Sequence, residues 1–527
     1  MTQQPWFRNA TLYQIYPRSF YDTNNDGVGD LAGITAKLDY LKGNEQSLGV
    51  DAIWISPFYP SPMADFGYDV ANYCNVDPLF GTLEDFDKLV SEAHARDIKI
   101  LVDFVPNHTS NQHPWFKESR ASKDDPKRNW YVWADPKPDG SPPNNWLGVF
   151  GGSAWELDAA TGQYYLHSFL KEQPDLNWDN PDVRDAMSEA LAFWLKRGVD
   201  GFRVDAVQWL GKDSQLRDDP LDPAYDAATD TPYHTLLHTY SKRGSALFTH
   251  LKGIADAAKA YKDDCLLIVE AYPHKLHSID EYITMYQHIE TATMAPFNFE
   301  AISLKWDAAG YKAYYDTFQD ALKPEYLPIH AVGNHDMPRV VARLGGQRAR
   351  AIAVLLLTLP GLPVIYYGDE LGMDGTPIPP EAIRDPFAKS TPKAGRDPER
   401  TPMQWSNDTF AGFSTTQPWL PIGDTSKVNV QAELDDEQSM LNLYRRLLAL
   451  RRGSPALLHG EYRPVDTPNQ SLFAFARDYQ DERIVTIINF SNAEQDCPVP
   501  GKTILSTHQA SEQLQPFEAR IVRPAQP

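Results

Sequence analysis

The chain has 527 residues, 42% hydrophobic and 23% charged, with a mean hydropathy of −0.47, so it is a soluble-type sequence too long for one simple core. Its 49 Lys and Arg against 71 Asp and Glu give a net charge of −22, which argues against nucleic acid or an anionic membrane as a partner. Cys74, Cys265 and Cys497 are too few and too scattered for a disulfide framework or a zinc site.

The N-terminal stretch MTQQPWFRNATLYQIYPRSF has no basic segment followed by an apolar run, so a cytoplasmic location is expected. A first strand is predicted at LYQIYP (12–17). DTNNDGVGD (22–30) follows it, with oxygen side chains at alternate positions (Asp22, Asn24, Asp26, Asp30), a glycine for a tight turn and the Val28 carbonyl available. That is the pattern of a loop wrapping a hard cation, although an Asx-rich turn without metal produces the same letters. Further strands are predicted at AIWISP (52–57), IKILVDFV (98–105), GFRVDA (201–206), LLIVEA (266–271), ATMAPF (292–297), PIHAVGN (328–334) and LPVIYYGD (362–369), separated by amphipathic helical stretches. Eight βα units of this kind predict a closed (β/α)8 TIM barrel. The apolar run at 351–368 is broken by Pro360, Gly361 and Pro363, which makes it a helix followed by a strand rather than a membrane span.

Asp103 and Asp205 lie about 100 positions apart, where one unit takes roughly 30, so an inserted subdomain is expected after strand 3. The expected organisation is barrel at 1–104, irregular or β-rich insertion at 105–174, barrel again at 175–454, and a C-terminal β-sandwich at 455–527, where SLFAFAR and RIVTIINFS alternate as strands do. A further Asp/Pro-rich loop follows strand 4.

In such barrels chemistry sits at the C-terminal ends of the strands. Arg203 and Asp205, on one face of an otherwise apolar strand, could be a buried structural ion pair. Asp103, His108, Glu270, His335 and Asp336 end neighbouring strands, and so many charges on one rim point instead to an active site, because burying each without function would cost stability.

DFVPNH (103–108), GFRVDAVQW (201–209), the glutamate of VEAY (269–272) and VGNHD (332–336) resemble, in order, the four signature regions of the α-amylase superfamily of glycoside hydrolases. QIYPRSF, FGYDV (66–70), QPDLNW (173–178), YYGDELGM (366–373) and RTPMQW (400–405) are similar to its oligo-1,6-glucosidase and α-glucosidase branch. The resemblance implies Asp205 as nucleophile, Glu270 as acid/base and Asp336 as the third carboxylate, holding sugar hydroxyls. It implies a sugar-binding wall of Tyr68, Asp69, His108, Phe150, Phe169, Arg203, His335 and Arg400, with Tyr272 as a further wall residue. It also implies structural Ca2+ held by Asp22, Asn24, Asp26, the Val28 carbonyl and Asp30, and no organic cofactor.

The chemistry is consistent with those residue types: a retaining glycosidase needs one ionised and one protonated carboxyl about 5–5.5 Å apart. Arg203 should lower the pKa of Asp205, and the negative field of Asp205 and Asp336 should raise that of Glu270. The branch resemblance implies exo-action on short α-glucosides, with a monomer or homodimer expected. Ala206 stands where enzymes of this branch that prefer α-1,6 bonds often carry valine, which favours α-1,4 substrates such as maltose. A dedicated glucosyltransferase or a sucrose-active enzyme shares all these residues. A non-catalytic relative resembling amino-acid-transporter heavy chains is disfavoured, because Asp205, Glu270 and Asp336 are all present and no span is visible.

Overall fold

The computed structural model describes residues 4–525 except 229, 274–278, 290–291, 391–394 and 510. Eight parallel strands close a barrel: β1 (Leu12–Ile15), β2 (Ala52–Ile55), β3 (Lys99–Phe104), β7 (Gly201–Val204), β8 (Leu266–Val269), β9 (Met294–Asn298), β10 (Ile329–Ala331) and β11 (Leu362–Tyr366), with β11 returning to β1. All eight expected strands are present. Their ladders stop short of the predicted ends at several C-terminal edges, where the chain leaves the barrel to build the rim. Between β3 and β7 the insertion carries β4 (Trp133–Ala134), β5 (Trp155–Asp158) and β6 (Gln163–Leu166). These form a three-stranded sheet over a small core of Trp146, Ala154, Trp155, Tyr164 and Leu166.

Local sequence explains the elements that matter for the rim. Residues of β1, β2, β7, β8 and β11 are buried throughout, as strands covered on both faces must be. Helix Leu83–Ala95 starts on a reciprocal cap in which Thr82 accepts from the Asp85 amide while the Asp85 carboxylate accepts from that of Thr82. Helix Pro181–Lys196 begins with Asn180 as cap and proline at its first position. Gly201 opens β7 where a Cβ would lie 2.4 Å from the Leu266 carbonyl oxygen, so only glycine permits the approach. The apolar run at 351–368 divides as expected, into helix Gly346–Thr358 and strand β11. No helix among the described residues is long and apolar enough to cross a membrane.

Helix Met440–Gly453 leads to the C-terminal antiparallel unit. Strands β12 (Glu461–Pro464), β13 (Leu472–Tyr479), β14 (Glu482–Asn489), β15 (Gly501–Ser506) and β16 (Ala519–Pro524) form one sheet in the order β12-β13-β14-β16-β15. Alternation along β13 sends Phe473 and Phe475 into the main core and Leu472, Ala474 and Ala476 into a second cluster with Val485, Ile487, Leu514 and Val522. The second face is therefore closed by loop segments around Leu514 rather than by a second sheet among the described residues.

Candidate active site

Parallel register fixes the centre of the rim. Asp103 on β3 is opposite Arg203 on β7, so both side chains enter the barrel at one level, and Arg203 Nη1 donates to Asp103 Oδ1 at 2.9 Å. Trp54 on β2 donates its indole N–H to the other Asp103 oxygen at 2.7 Å. The pairing continues past the strands: the Asp205 amide donates to the Phe104 carbonyl at 2.8 Å and the Glu270 amide to that of Val204 at 2.9 Å. Asp205 and Glu270 thereby stand side by side above Arg203. Nη1 of the guanidinium bonds Asp205 as well as Asp103, and Nη2 reaches Glu270 Oε1 at 2.5 Å. The Ala206 amide donates to Glu270 Oε2 at 3.1 Å.

Three carboxyl groups share one guanidinium here, and burial opposes ionisation of each. Burial, with the Asp103 and Asp336 charges beside it, pushes Asp205 up to about 7 against the pull of Arg203. This differs from the sequence expectation: the cation is divided among Asp103, Asp205 and Glu270, so it does not hold Asp205 low. Glu270 goes in the expected direction, pushed up to about 8 by burial and by the Asp205 and Asp336 charges, again against Arg203. The two carboxyls titrate as one interacting pair, with the proton favoured on Glu270.

Asp336 lies across from that pair. Its Oδ1 accepts from Arg400 Nη2 at 2.8 Å and from Arg396 Nη1 at 3.1 Å, and its Oδ2 is 3.3 Å from His335 Nε2. Burial opposes its ionisation but is outweighed by the His335 ring N–H beside it and by the Arg396, Arg400 and Arg203 charges, leaving it well below the usual carboxylate range. His335 is itself buried and held neutral, with its pKa lowered to about 3 chiefly by burial. The Gln14 amide nitrogen donates to His335 Nδ1 at 2.8 Å, which places the ring proton on Nε2, 2.8 Å from the Tyr68 hydroxyl. Tyr68 and His335 lie parallel, with centroids 5.4 Å apart.

The other expected wall residues divide into two groups. His108 is buried and packs against Phe169, which leads to Phe150 with a centroid separation of 6.1 Å. Phe150 contacts Phe387 on one side, and the Arg396 guanidinium lies over its ring at 5.4 Å. Arg400 Nε also donates to the His335 carbonyl at 2.7 Å, so Arg400 braces the segment carrying Asp336. Tyr272 stacks on Phe299 beside Glu270, and its hydroxyl accepts from Asn334 Nδ2 at 3.3 Å. Asp69 is the exception. It is fully buried, accepting from Ser61 Oγ and the Asp65 and Ala64 amides, so it closes its own loop and does not face the pocket.

The acidic group that faces the pocket from that loop is Asp65, bonded to Arg396 Nη2 and to Gln173 Nε2 at 2.8 and 3.2 Å. Neither Asp65 nor Arg396 was anticipated. In the sequence each is one charge in a polar loop, and the available signal was their adjacency to Tyr68 and Arg400. Asp385 completes the Arg396 environment with two contacts of 2.8 and 3.1 Å to the guanidinium.

The loop at 22–30 folds around its own oxygens. Asp22 accepts from the Asn24, Asn25 and Gly27 amides and from Ser414 Oγ; Asp30 accepts from Thr23 and caps the next helix at Gly33. Gly27, at φ 87°, is pressed so close to Gln417 that a Cβ would lie 2.4 Å from its carbonyl oxygen. Asp22, Asp26 and Asp30 have no ion pair among the described residues, and they do not converge as a three-acid cluster. The donor set is all hard oxygen, and two of the three unpaired carboxylates, Asp22 and Asp30, are buried. A hard divalent cation fits that chemistry.

The family described as "Alpha amylase, catalytic domain" matches residues 14–460. The chain belongs to the α-amylase family. It is a glycoside hydrolase of that family, similar to a "Probable alpha-glucosidase" of Rhizobium meliloti (strain 1021), with 42% identity over 95% of this chain and 92% of that protein. Among solved structures, the α-glucosyl transfer enzyme XgtA superposes with a TM-score of 0.90 at 38% identity, covering 99% of this chain and all (100%) of that one. An isomaltulose synthase mutant from Erwinia rhapontici NX5, in complex with its natural substrate sucrose, superposes with a TM-score of 0.88 at 32% identity, over 99% of this chain and 100% of that one.

Proposed function

We propose that this α-amylase-family enzyme is a retaining, exo-acting α-glucosidase that removes terminal glucose from short α-glucosides, with maltose favoured. Asp205 attacks the anomeric carbon while Glu270 protonates the departing oxygen, leaving a β-glucosyl ester on Asp205. Glu270 then takes a proton from water, or from a sugar hydroxyl, as that oxygen displaces the ester. The observation that carries the reading is the single Arg203 guanidinium bonded through its two terminal nitrogens to Asp205 and Glu270. Sharing one guanidinium keeps the two carboxyls close, which supports a retaining pair, whose carboxyls lie about 5–5.5 Å apart, over an inverting one. Asp336, held ionised by Arg396 and Arg400, binds sugar hydroxyls as positive charge develops on the ring. Asp65 and Arg396 close the pocket beyond it.

A second reading, transfer of glucosyl to another sugar or use of sucrose as donor, is favoured by the likeness to a glucosyl transfer enzyme and an isomaltulose synthase. Incubation with maltose and with sucrose, followed by chromatography, separates the two. Glucose as the main product from maltose supports the hydrolase; oligosaccharides or isomers without free glucose overturn it.

We further propose that Asp22, Asn24, Asp26, the Val28 carbonyl and Asp30 hold Ca2+ in a structural role. A bound cation would offset the buried acidic charge of this loop and pin it against residues 414–419; no catalytic step runs through it.

A further inference from the structure

The Asp/Pro-rich excursion after β7 has no part in the chemistry above, yet it returns to the rim through one buried cation. Lys242 is 5% exposed, and no carboxylate lies within ion-pair distance of it among the described residues. Its ammonium instead sits between two aromatic rings, 5.2 Å from the centroid of Trp209 and 5.4 Å from that of Tyr233. A desolvated ammonium over an indole face is held by the ring quadrupole, and here that attraction replaces an ion pair. Burial pushes the Lys242 pKa down to about 7, Arg243 also opposes its protonation, and Glu281 and Asp219 favour it, so the clamp is cationic at and below neutral pH, where the test is run.

Trp209 is placed to meet a ligand. It ends the short turn Val207–Trp209 that begins beside Asp205, and the same turn is fixed on the Glu270 side by Gln208 Nε2 donating to the Tyr272 carbonyl at 2.7 Å. The Trp209 ring is half-buried and continues the aromatic wall from Phe169, 4.9 Å away. Glu270 serves the leaving oxygen, and the turn that carries Trp209 is tied to Tyr272, two residues after Glu270, which puts Trp209 on the side of the departing or incoming sugar.

We propose that Lys242 is a positioning residue for the acceptor side: clamped between Trp209 and Tyr233, it fixes the Trp209 ring as the platform on which the departing or accepting sugar stacks. This rests on the glucosyl-enzyme reading above. In transfer, the ester bond from Asp205 to the anomeric carbon breaks, the acceptor oxygen bonds to that carbon, and the acceptor proton passes to Glu270. The platform sets how often a sugar rather than water supplies that oxygen.

The test uses p-nitrophenyl α-glucoside as donor and maltose as acceptor. Because maltose is itself a substrate that releases glucose, the glucosyl ring of the donor carries an isotopic label: nitrophenol released reports glucosyl-enzyme formation from the donor, and labelled free glucose reports its capture by water, so their ratio isolates the partition. Lys242→Met is expected to raise the acceptor concentration for half-maximal transfer about three- to tenfold, and Lys242→Arg to restore most of it. In a Trp209→Leu background the Lys242→Met change should have no further effect. An unchanged partition in Lys242→Met, an equal loss in the Trp209→Leu background, or a wild-type enzyme giving only hydrolysis at saturating maltose would each overturn the proposal. Should Lys242→Met fail to fold, an unchanged partition in Trp209→Leu alone overturns it. Failure of the underlying reading is distinct, because the wild type would then release no nitrophenol.

Discussion

The amide of Ala206 donates to the carboxylate of Glu270 at 3.1 Å, so the residue directly after one reacting carboxyl holds the other. Ala206 makes that contact with φ 48° and ψ 37°, in the left-handed region that a non-glycine residue seldom adopts. A small side chain at this position keeps the strain low. Valine would add strain and two methyl groups on Cβ beside the glycosidic bond.

Ala206→Val is therefore expected to change both stability and bond preference. The left-handed conformation should cost on the order of 1–2 kcal/mol beyond alanine, seen as a lower melting temperature. The ratio of kcat/KM for isomaltose to that for maltose should rise about tenfold or more, the scale that one or two added carbons in a shaped pocket command. An unchanged ratio in a folded variant would remove Ala206 from the specificity argument.

The pH dependence follows from the shared guanidinium. Activity needs Asp205 ionised and Glu270 protonated; with these groups pushed up to about 7 and about 8, kcat/KM should rise as pH climbs through the first value and fall as it passes the second. The result is a narrow bell whose two limbs belong to the pair. Arg203→Lys, which keeps the charge but cannot serve two carboxyls at once, should lower kcat/KM about 10²- to 10³-fold. A flat wild-type profile from roughly pH 5 to 9 would contradict the assignment.

Asp65 and Asp69 offer a paired test of what faces the sugar. Asp69→Asn loses charge-assisted acceptors to the Ala64 and Asp65 amides and should cost about 1–3 kcal/mol of stability, with kcat/KM largely retained. Asp65→Asn should lower kcat/KM by about 10²-fold or more, because the pocket then loses a carboxylate and Arg396 loses one of its three acidic partners. The reverse pattern, measured by thermal melts and steady-state rates, would return Asp69 to the pocket.

The barrel was legible because buried parallel strands are written as short apolar runs, and the reacting carboxyls because each interrupts or ends such a run. Arg203 and Asp205 were conspicuous for that reason. Asp65, Arg396 and Asp385 were not, since loop charges look alike whether solvated or folded inward, and their convergence depends on joining residues more than 300 positions apart. The direction of the Asp205 shift was missed on the same ground. Sequence shows that Arg203 is near Asp205, but only the fold shows that Asp103 and Glu270 compete for it.

The acidic loop at 22–30 gives the last prediction. Asp22 and Asp30 are each 4% exposed, with no cationic side chain paired to either among the described residues. Bound Ca2+ stabilises the folded state by mass action, so a chelator should lower the melting temperature and added Ca2+ should restore it. Asp22→Asn should weaken this response, because that carboxylate also orders the turn through the Gly27 amide at 2.8 Å. Turnover measured below the melting transition should change little, since the loop packs on residues 414–419 and touches none of the reacting carboxyls. Elemental analysis after dialysis should find about one Ca2+ per chain. A melting temperature indifferent to chelator, with no retained metal, would leave the loop an Asx-rich turn whose oxygens are satisfied by its own amides.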